Sequence, residues 1–202
     1  MAKGPSYNVP FRRRREGKTD YELRRGLISS GLHRLVARKT RNHMIVQLVR
    51  ATVNGDRIVA SAHSSELRKK YGWLGNLDNL SASYLTGLVC GYRSLDKGVN
   101  EAVLDIGLQT PSRGSRVFAM LKGVLDAGVK VAHDEEILPD EDRIRGKHIA
   151  NYAAEISSDA ETYSRMFSTY LSRGLTPEKI PDHFSSVKEK IGADFGKSTK
   201  RQ

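Results

Sequence analysis

The stretch Ala102-Val103-Leu104-Asp105-Ile106-Gly107-Leu108 decides how the rest of the chain is read. It is an apolar run of strand length interrupted only by Asp105, and such runs predict a strand covered on both faces. After Gln109 to Gly114, the residues Val117, Phe118, Leu121, Val124 and Leu125 recur at helical spacing as far as Gly128, and Val129 to Ala132 is apolar again. Strand, helix, strand predicts a crossover unit with parallel strands. Upstream, Leu80, Tyr84, Leu85, Leu88, Val89, Tyr92 and Leu95 share one helical face, with Asp78 or Asn79 as cap and Gly98 as terminator. Before that helix, three strands are expected at His33 to Arg38, Met44 to Val53 and Arg57 to His63. Asn54-Gly55 between the last two predicts a hairpin with a type I′ turn, because both residues tolerate positive φ. The fold class is therefore α/β: a mixed sheet, antiparallel meander plus parallel crossover strands, packed with helices.

Further out the signals change character. Residues 64 to 77 read as a loop with one helical turn. Asp20 can cap a short helix through Ser30, with Leu23, Leu27 and Ile28 inward, Arg24 and Arg25 toward solvent, and Gly31 at its end. Residues 1–19 carry Gly4, Pro5, Pro10, Gly17 and the run Arg12-Arg13-Arg14-Arg15. Prolines and self-repulsion there predict an extended arm, disordered when free. Beyond the acidic stretch 134 to 142, helices are expected near 143 to 155, 159 to 172 and 178 to 191. Ser158 with Glu161 forms a capping-box pattern, and Thr176-Pro177 a cap with first-turn proline. The organisation that follows is a basic arm (1–19), an α/β core (20–140) and a helical C-terminal extension (141–202).

Charge points to the class of partner. The 202 residues carry a net +11, and residues 1 to 50 hold 13 basic and 3 acidic side chains, or +10 of it. A chain with so cationic a front end touches a polyanion. A membrane surface would need an amphipathic helix, and Tyr7, Val9 and Phe11 are separated by Pro5 and Pro10. Nucleic acid is the expected partner. No run of eighteen apolar residues and no secretory pattern occurs, which predicts a cytoplasmic chain without a membrane partner. The lone Cys90 allows no internal disulfide.

Within that frame Arg12, Arg13, Arg14, Arg15 and Lys18 are candidate phosphate ligands, since guanidinium forks fit phosphate oxygens. Tyr7 and Phe11 are candidates for stacking on unpaired bases. Arg24, Arg25, Arg34, Arg38, Lys39 and Arg41 extend the basic surface onto the first helix and the sheet. The loop Gln109 to Arg116, with Arg113, Ser115 and Arg116, lies between a buried strand and a helix start, where free N–H groups and the helix dipole favour an anion. It matches neither phosphate-loop nor dinucleotide glycine pattern, so no cofactor is expected. The six histidines are scattered and no metal site is expected. Asp105 with the acidic stretch 133 to 142 leaves a metal-dependent nucleic-acid enzyme as an alternative. A DNA-binding module reading with residues 21 to 31 is another.

Several stretches together resemble a known family. They are Gly4-Pro5, Tyr7, Val9-Pro10, Arg12 to Arg15, Thr19-Asp20-Tyr21, Arg34-Leu35-Val36-Ala37-Arg38-Lys39, Ala60-Ser61-Ala62-His63-Ser64, Tyr84-Leu85-Thr86-Gly87 and Ala102 to Leu108. In this order they resemble large-subunit ribosomal protein eighteen, the universal 5S rRNA-binding family, in its archaeal and eukaryotic branch. The likeness continues through Gly114 to Ala119 and Arg145 to Ala150 and is weakest over the last sixty residues. It implies a structural protein without catalytic residues, sitting in the central protuberance with 5S rRNA, 23S rRNA and the other 5S-binding ribosomal protein as partners. It also implies that the arm, the basic strand residues, the His63-Ser64-Ser65 turn and the Arg113/Arg116 loop face RNA.

Overall fold

The computed structural model describes residues 4–198. Residues 1–3 of the expected arm and 199–202 of the expected extension lie outside the described residues. Five strands form one sheet in the order β3-β2-β1-β4-β5: β1 (His33–Lys39), β2 (Met44–Thr52), β3 (Gly55–His63), β4 (Glu101–Asp105) and β5 (Lys130–Val131). β1 to β3 run antiparallel, β4 lies parallel to β1 with Arg34 opposite Val103, and β5 lies parallel to β4. The crossovers are α4 (Leu80–Asp96) with α3 (Ser64–Tyr71) before it, and α5 (Arg116–Asp126). The mixed sheet expected from the sequence is the one observed.

Several local expectations need correction. The hairpin turn is not type I′: among the described residues none but glycine has positive φ, and Gly55 at φ 126 stands opposite Thr52 as the first residue of β3, leaving Val53 and Asn54 as the turn. β4 stops at Asp105 rather than running to Leu108, because the Asp105 carboxylate accepts the Gly107 N–H (2.9 Å) and bends the chain out of the sheet. The strand is not sealed on both faces, since Val103 and Leu104 are half-buried and Leu108 is exposed. Residues 64–71 make two full helical turns. The His63 ring accepts the Ser65 N–H while Glu66 accepts the His63 N–H, and Gly72 at φ 72 ends the helix.

At the N-terminus Arg12–Arg15 is one helical turn, α1, where an extended arm is expected; Pro10 stands before it and blocks nothing. The Asp20 cap of α2 (Tyr21–Ser29) is as expected, accepting the N–H groups of Glu22 and Leu23. The inward face is not: Leu23 and Ile28 are exposed, while Arg24 is half-buried. Past β5 come α6 (Glu141–Arg145), α7 (Lys147–Glu155), α8 (Ala160–Met166), α9 (Ser168–Leu171) and α10 (Ile180–Ser198). The cap of α8 is Asp159, not Ser158, because its carboxylate takes the Thr162 N–H.

The core is built around α4, of whose 17 residues twelve are buried. Its polar side chains are satisfied by carbonyls: Ser81 donates to Ile144, Thr86 to Ala82 and Ser94 to Cys90, all at 2.7 Å. α4 and α5 touch backbone to backbone. A Cβ on Gly87 would strike the Met120 carbonyl, and one on Gly123 the Tyr84 carbonyl. α10 closes the other side, burying Ile180, Phe184, Val187 and Ile191 in the same apolar cluster as the sheet. The single tryptophan, Trp73, is fully buried, stacks on His183 of α10 (centroids 5.0 Å) and donates to the Asn76 carbonyl.

Candidate nucleic-acid interface

The helices cover one face of the sheet. Over the other face α2 and the α1 turn frame a groove of about 370 Å³ walled by Arg13, Lys18, Arg24, Arg38, Gln47 and Ile58. Its floor is a chain of alternating charge. Arg24 meets Asp56 at 2.9 Å, Asp56 meets Arg34 at 2.7 Å, Arg34 meets Asp105 at 2.8 Å, and Arg38 approaches Asp105 at 3.9 Å. Burial on its own raises the Asp56 carboxyl pKa, but Arg34 and Arg24 outweigh it and hold the group below the usual carboxylate range.

This network and its neighbours claim several of the candidates for the fold. Arg34 is 3% exposed and occupied by two carboxylates, so it is an internal counter-ion and not a surface contact. Arg24 is likewise engaged on Asp56. Ser64 is fully buried, with its oxygen 3.2 Å from the Met44 N–H, and serves the fold. His63 and Ser65 hold each other at 2.7 Å as the α3 cap, and the His63 ring lies 4.8 Å from that of His43. Burial, then the His43 and Lys69 charges, push the His63 pKa below the ordinary 6.5 despite Glu66. Arg116 turns inward to donate to the Asp78 carbonyl (2.7 Å), which fastens α5 to the start of α4. Ser115 caps α5 without a side-chain bond, and Arg113 is exposed against Glu136 at 3.0 Å.

What remains is a free cationic front. Arg14, Arg15, Arg25, Lys39 and Arg41 are exposed, and none has a carboxylate partner among the described residues. Arg12 and Lys18 share Glu16 at 4.0 and 2.9 Å in full solvent, pairs worth little and easily exchanged. Arg13 donates to Thr19 (2.9 Å) and points its fork at the groove mouth. Tyr7 and Phe11 are exposed, with one side of the Phe11 ring resting on Tyr21 at 5.3 Å. The structure thus brings the α1 turn and α2 together around one groove with Arg38 of β1 on its wall, whereas Asn42 and His43 of the β1–β2 turn line a separate cavity and none of Arg113, Ser115 and Arg116 lines the groove. Sequence reasoning misses the role of Asp56. No group of three His, Cys, Asp or Glu side chains able to hold a metal occurs among the described residues, and no described helix is long and apolar enough to cross a membrane.

A family model described as ribosomal large subunit proteins 60S L5 and 50S L18 matches residues 5–102 and 94–134. The chain belongs to this family. Among curated relatives, the large ribosomal subunit protein uL18 of Aeropyrum pernix is 53% identical over 192 residues, covering 95% of this chain and 90% of the relative. The protein of the same name from Methanothermobacter thermautotrophicus is 52% identical over 191 residues, covering 95% of this chain and 98% of the relative. Family membership makes this a structural, RNA-binding component of the large subunit of the cytoplasmic ribosome, and it removes the nuclease alternative. The relatives extend the likeness through the C-terminal helices, which the family model does not reach.

Proposed function

We propose that this large-subunit protein binds 5S rRNA and helps attach it to 23S rRNA in the central protuberance, beside the other 5S-binding ribosomal protein. The observation that carries the reading is the set of exposed, unpaired cations Arg14, Arg15, Arg25, Lys39 and Arg41, together with a groove lined by Arg13, Lys18, Arg24, Arg34 and Arg38 against Asp20, Asp56 and Asp105. Free cations collect phosphates and release their counterions. Within the groove Asp56 and Asp105 hold Arg24 and Arg34, which leaves Arg13, Lys18 and Arg38 to meet phosphates, and the remaining polar walls suit riboses and base edges, which is where RNA is told from DNA. The Arg113 and Arg116 loop adds at most one exposed cation to this surface.

Competition binding tests it. 5S rRNA is expected to outcompete duplex DNA at physiological salt, and a chain lacking residues 1–19 is expected to keep its thermal transition. Each phosphate that this segment neutralises adds about 0.7 to 0.9 to the magnitude of the log–log salt slope, so the shortened chain should bind with a shallower one. Equal affinity for duplex DNA and 5S rRNA in the intact chain would overturn the assignment.

A further inference from the structure

Away from the groove, a second cavity of about 400 Å³ opens between the β1–β2 turn, α3 and the segment that links α9 to α10, walled by Asn42, His43, Arg68, Asn76, Asp78 and Arg173. Arg68 belongs to the last turn of α3, whereas Arg173 follows α9. Their guanidinium groups converge on one acceptor, the Gly75 carbonyl, which Arg173 Nη1 reaches at 3.1 Å and Arg68 Nη2 at 3.4 Å. Arg173 Nη1 also touches the Leu74 carbonyl (3.3 Å) and Asn76 Oδ1 (3.4 Å). Neutral oxygens take one nitrogen of each fork and leave the remaining donors over.

The charge of this pair is uncompensated. Neither arginine has a carboxylate within ion-pair distance among the described residues, and the acid in the wall, Asp78, is engaged by Arg116 at 3.4 Å. Burial, and after it the neighbouring Arg173 charge, lower the pKa of Arg68. A fold has no reason to press two guanidinium groups together for one carbonyl when a single arginine would satisfy it. Two planar forks around a polar hollow are what a tetrahedral dianion or diester needs, each fork donating to two oxygens. Asn42 and Asn76 add neutral donors, and the unpaired Lys39, at the end of β1, and Arg41, in the β1–β2 turn, are close in sequence to Asn42.

We infer that this cavity is a phosphate-binding site, filled in the assembled particle by one phosphodiester of ribosomal RNA that Arg68 of α3 and Arg173 of the C-terminal segment grip from two sides. The inference rests on the RNA-binding reading and adds a contact built from α3 and the C-terminal segment, none of whose residues lines the groove. It also gives the near-neutral C-terminal half a place on the RNA, tied to the α/β core through the phosphate itself.

The test compares the full chain with Arg68→Gln, Arg173→Gln and the double variant. Gln keeps a donor for the Gly75 carbonyl. Binding to unfractionated ribosomal RNA is measured across a salt series, and the thermal midpoint is measured with and without tripolyphosphate. The double variant is expected to lower the magnitude of the salt slope by about 0.7 to 0.9, the share of one phosphate, and to lose the tripolyphosphate-induced rise in midpoint. A chain lacking residues 1–19 should keep that rise. An unchanged slope overturns the site, and so does a drop in midpoint with the slope intact, which would assign the pair to carbonyl capping alone. A lost tripolyphosphate response with an unchanged RNA slope would identify a soluble phosphate and overturn the RNA occupant. If the double variant loses its cooperative transition, the single variants are read by the same slope. Failure of the 5S assignment appears separately, as equal affinity of the unaltered chain for 5S rRNA and duplex DNA, and leaves the comparison between variants valid.

Discussion

Changing Asp105 to Asn preserves the shape of the side chain and its ability to accept the Gly107 N–H, but removes the charge that faces Arg34. Arg34 is then left inside the sheet with only Asp56 opposite it. Breaking a buried pair in this way costs about 3 kcal/mol, so the unfolding free energy of Asp105→Asn in urea is expected to fall by that amount, and an unchanged value would refute the buried network. His183 gives a pH-dependent counterpart. Its Nε2 accepts the Leu74 N–H at 3.0 Å, and burial first, with Lys190 adding to it, pushes its pKa down from the ordinary 6.5. A base with a depressed folded pKa binds fewer protons folded than unfolded, so its stabilisation is complete above the ordinary value and is lost as pH falls below it. The thermal midpoint should therefore drop between about pH 7.5 and about pH 5.5. His183→Gln should flatten the drop without abolishing it, because His63 and His148 are shifted the same way.

At the scale of elements the two helices at the centre are set by glycines. Gly123→Ala would drive a methyl group into the Tyr84 carbonyl and should cost about 2 kcal/mol through overpacking. Gly26→Ala in α2 is the control: nothing lies within 4 Å of its added Cβ, and removing a mid-helix glycine should stabilise by about 0.5 to 1 kcal/mol. Chemical denaturation of the two variants should move in opposite directions. Most elements are legible in the sequence because their signals are local. Asp20 and Asn79 announce helix starts, Gly98 and Gly128 announce ends, and the run from Ala102 announces β4. What escapes depends on distant partners. Arg24 reads as solvent-facing on its helix and Arg34 as a surface strand residue, because their carboxylates, Asp56 and Asp105, come from other strands. Ser64 and Arg116 likewise read as RNA-facing, since nothing near them in the chain shows that Met44 and Asp78 claim them. Arg68 and Arg173 carry no signal at all, since their meeting is created by the fold.

For the whole molecule the C-terminal region is part of the interior. Besides the Trp73–His183 stack, Lys70 pairs with Asp194 at 2.6 Å and Tyr71 donates to the same carboxylate at 3.0 Å, fastening α3 to the far end of α10. A chain ending before residue 176 should lose its cooperative thermal transition and shift the Trp73 emission to the red. A truncated chain with native emission would show that α10 is dispensable.

Since His183, which stacks on Trp73, lies 110 positions after it in the chain, a polypeptide still under synthesis cannot close this part of its interior until α10 has emerged. Until then it carries a fully charged cationic front beside an unsealed apolar wall, and unfinished products are the natural prey of proteolysis.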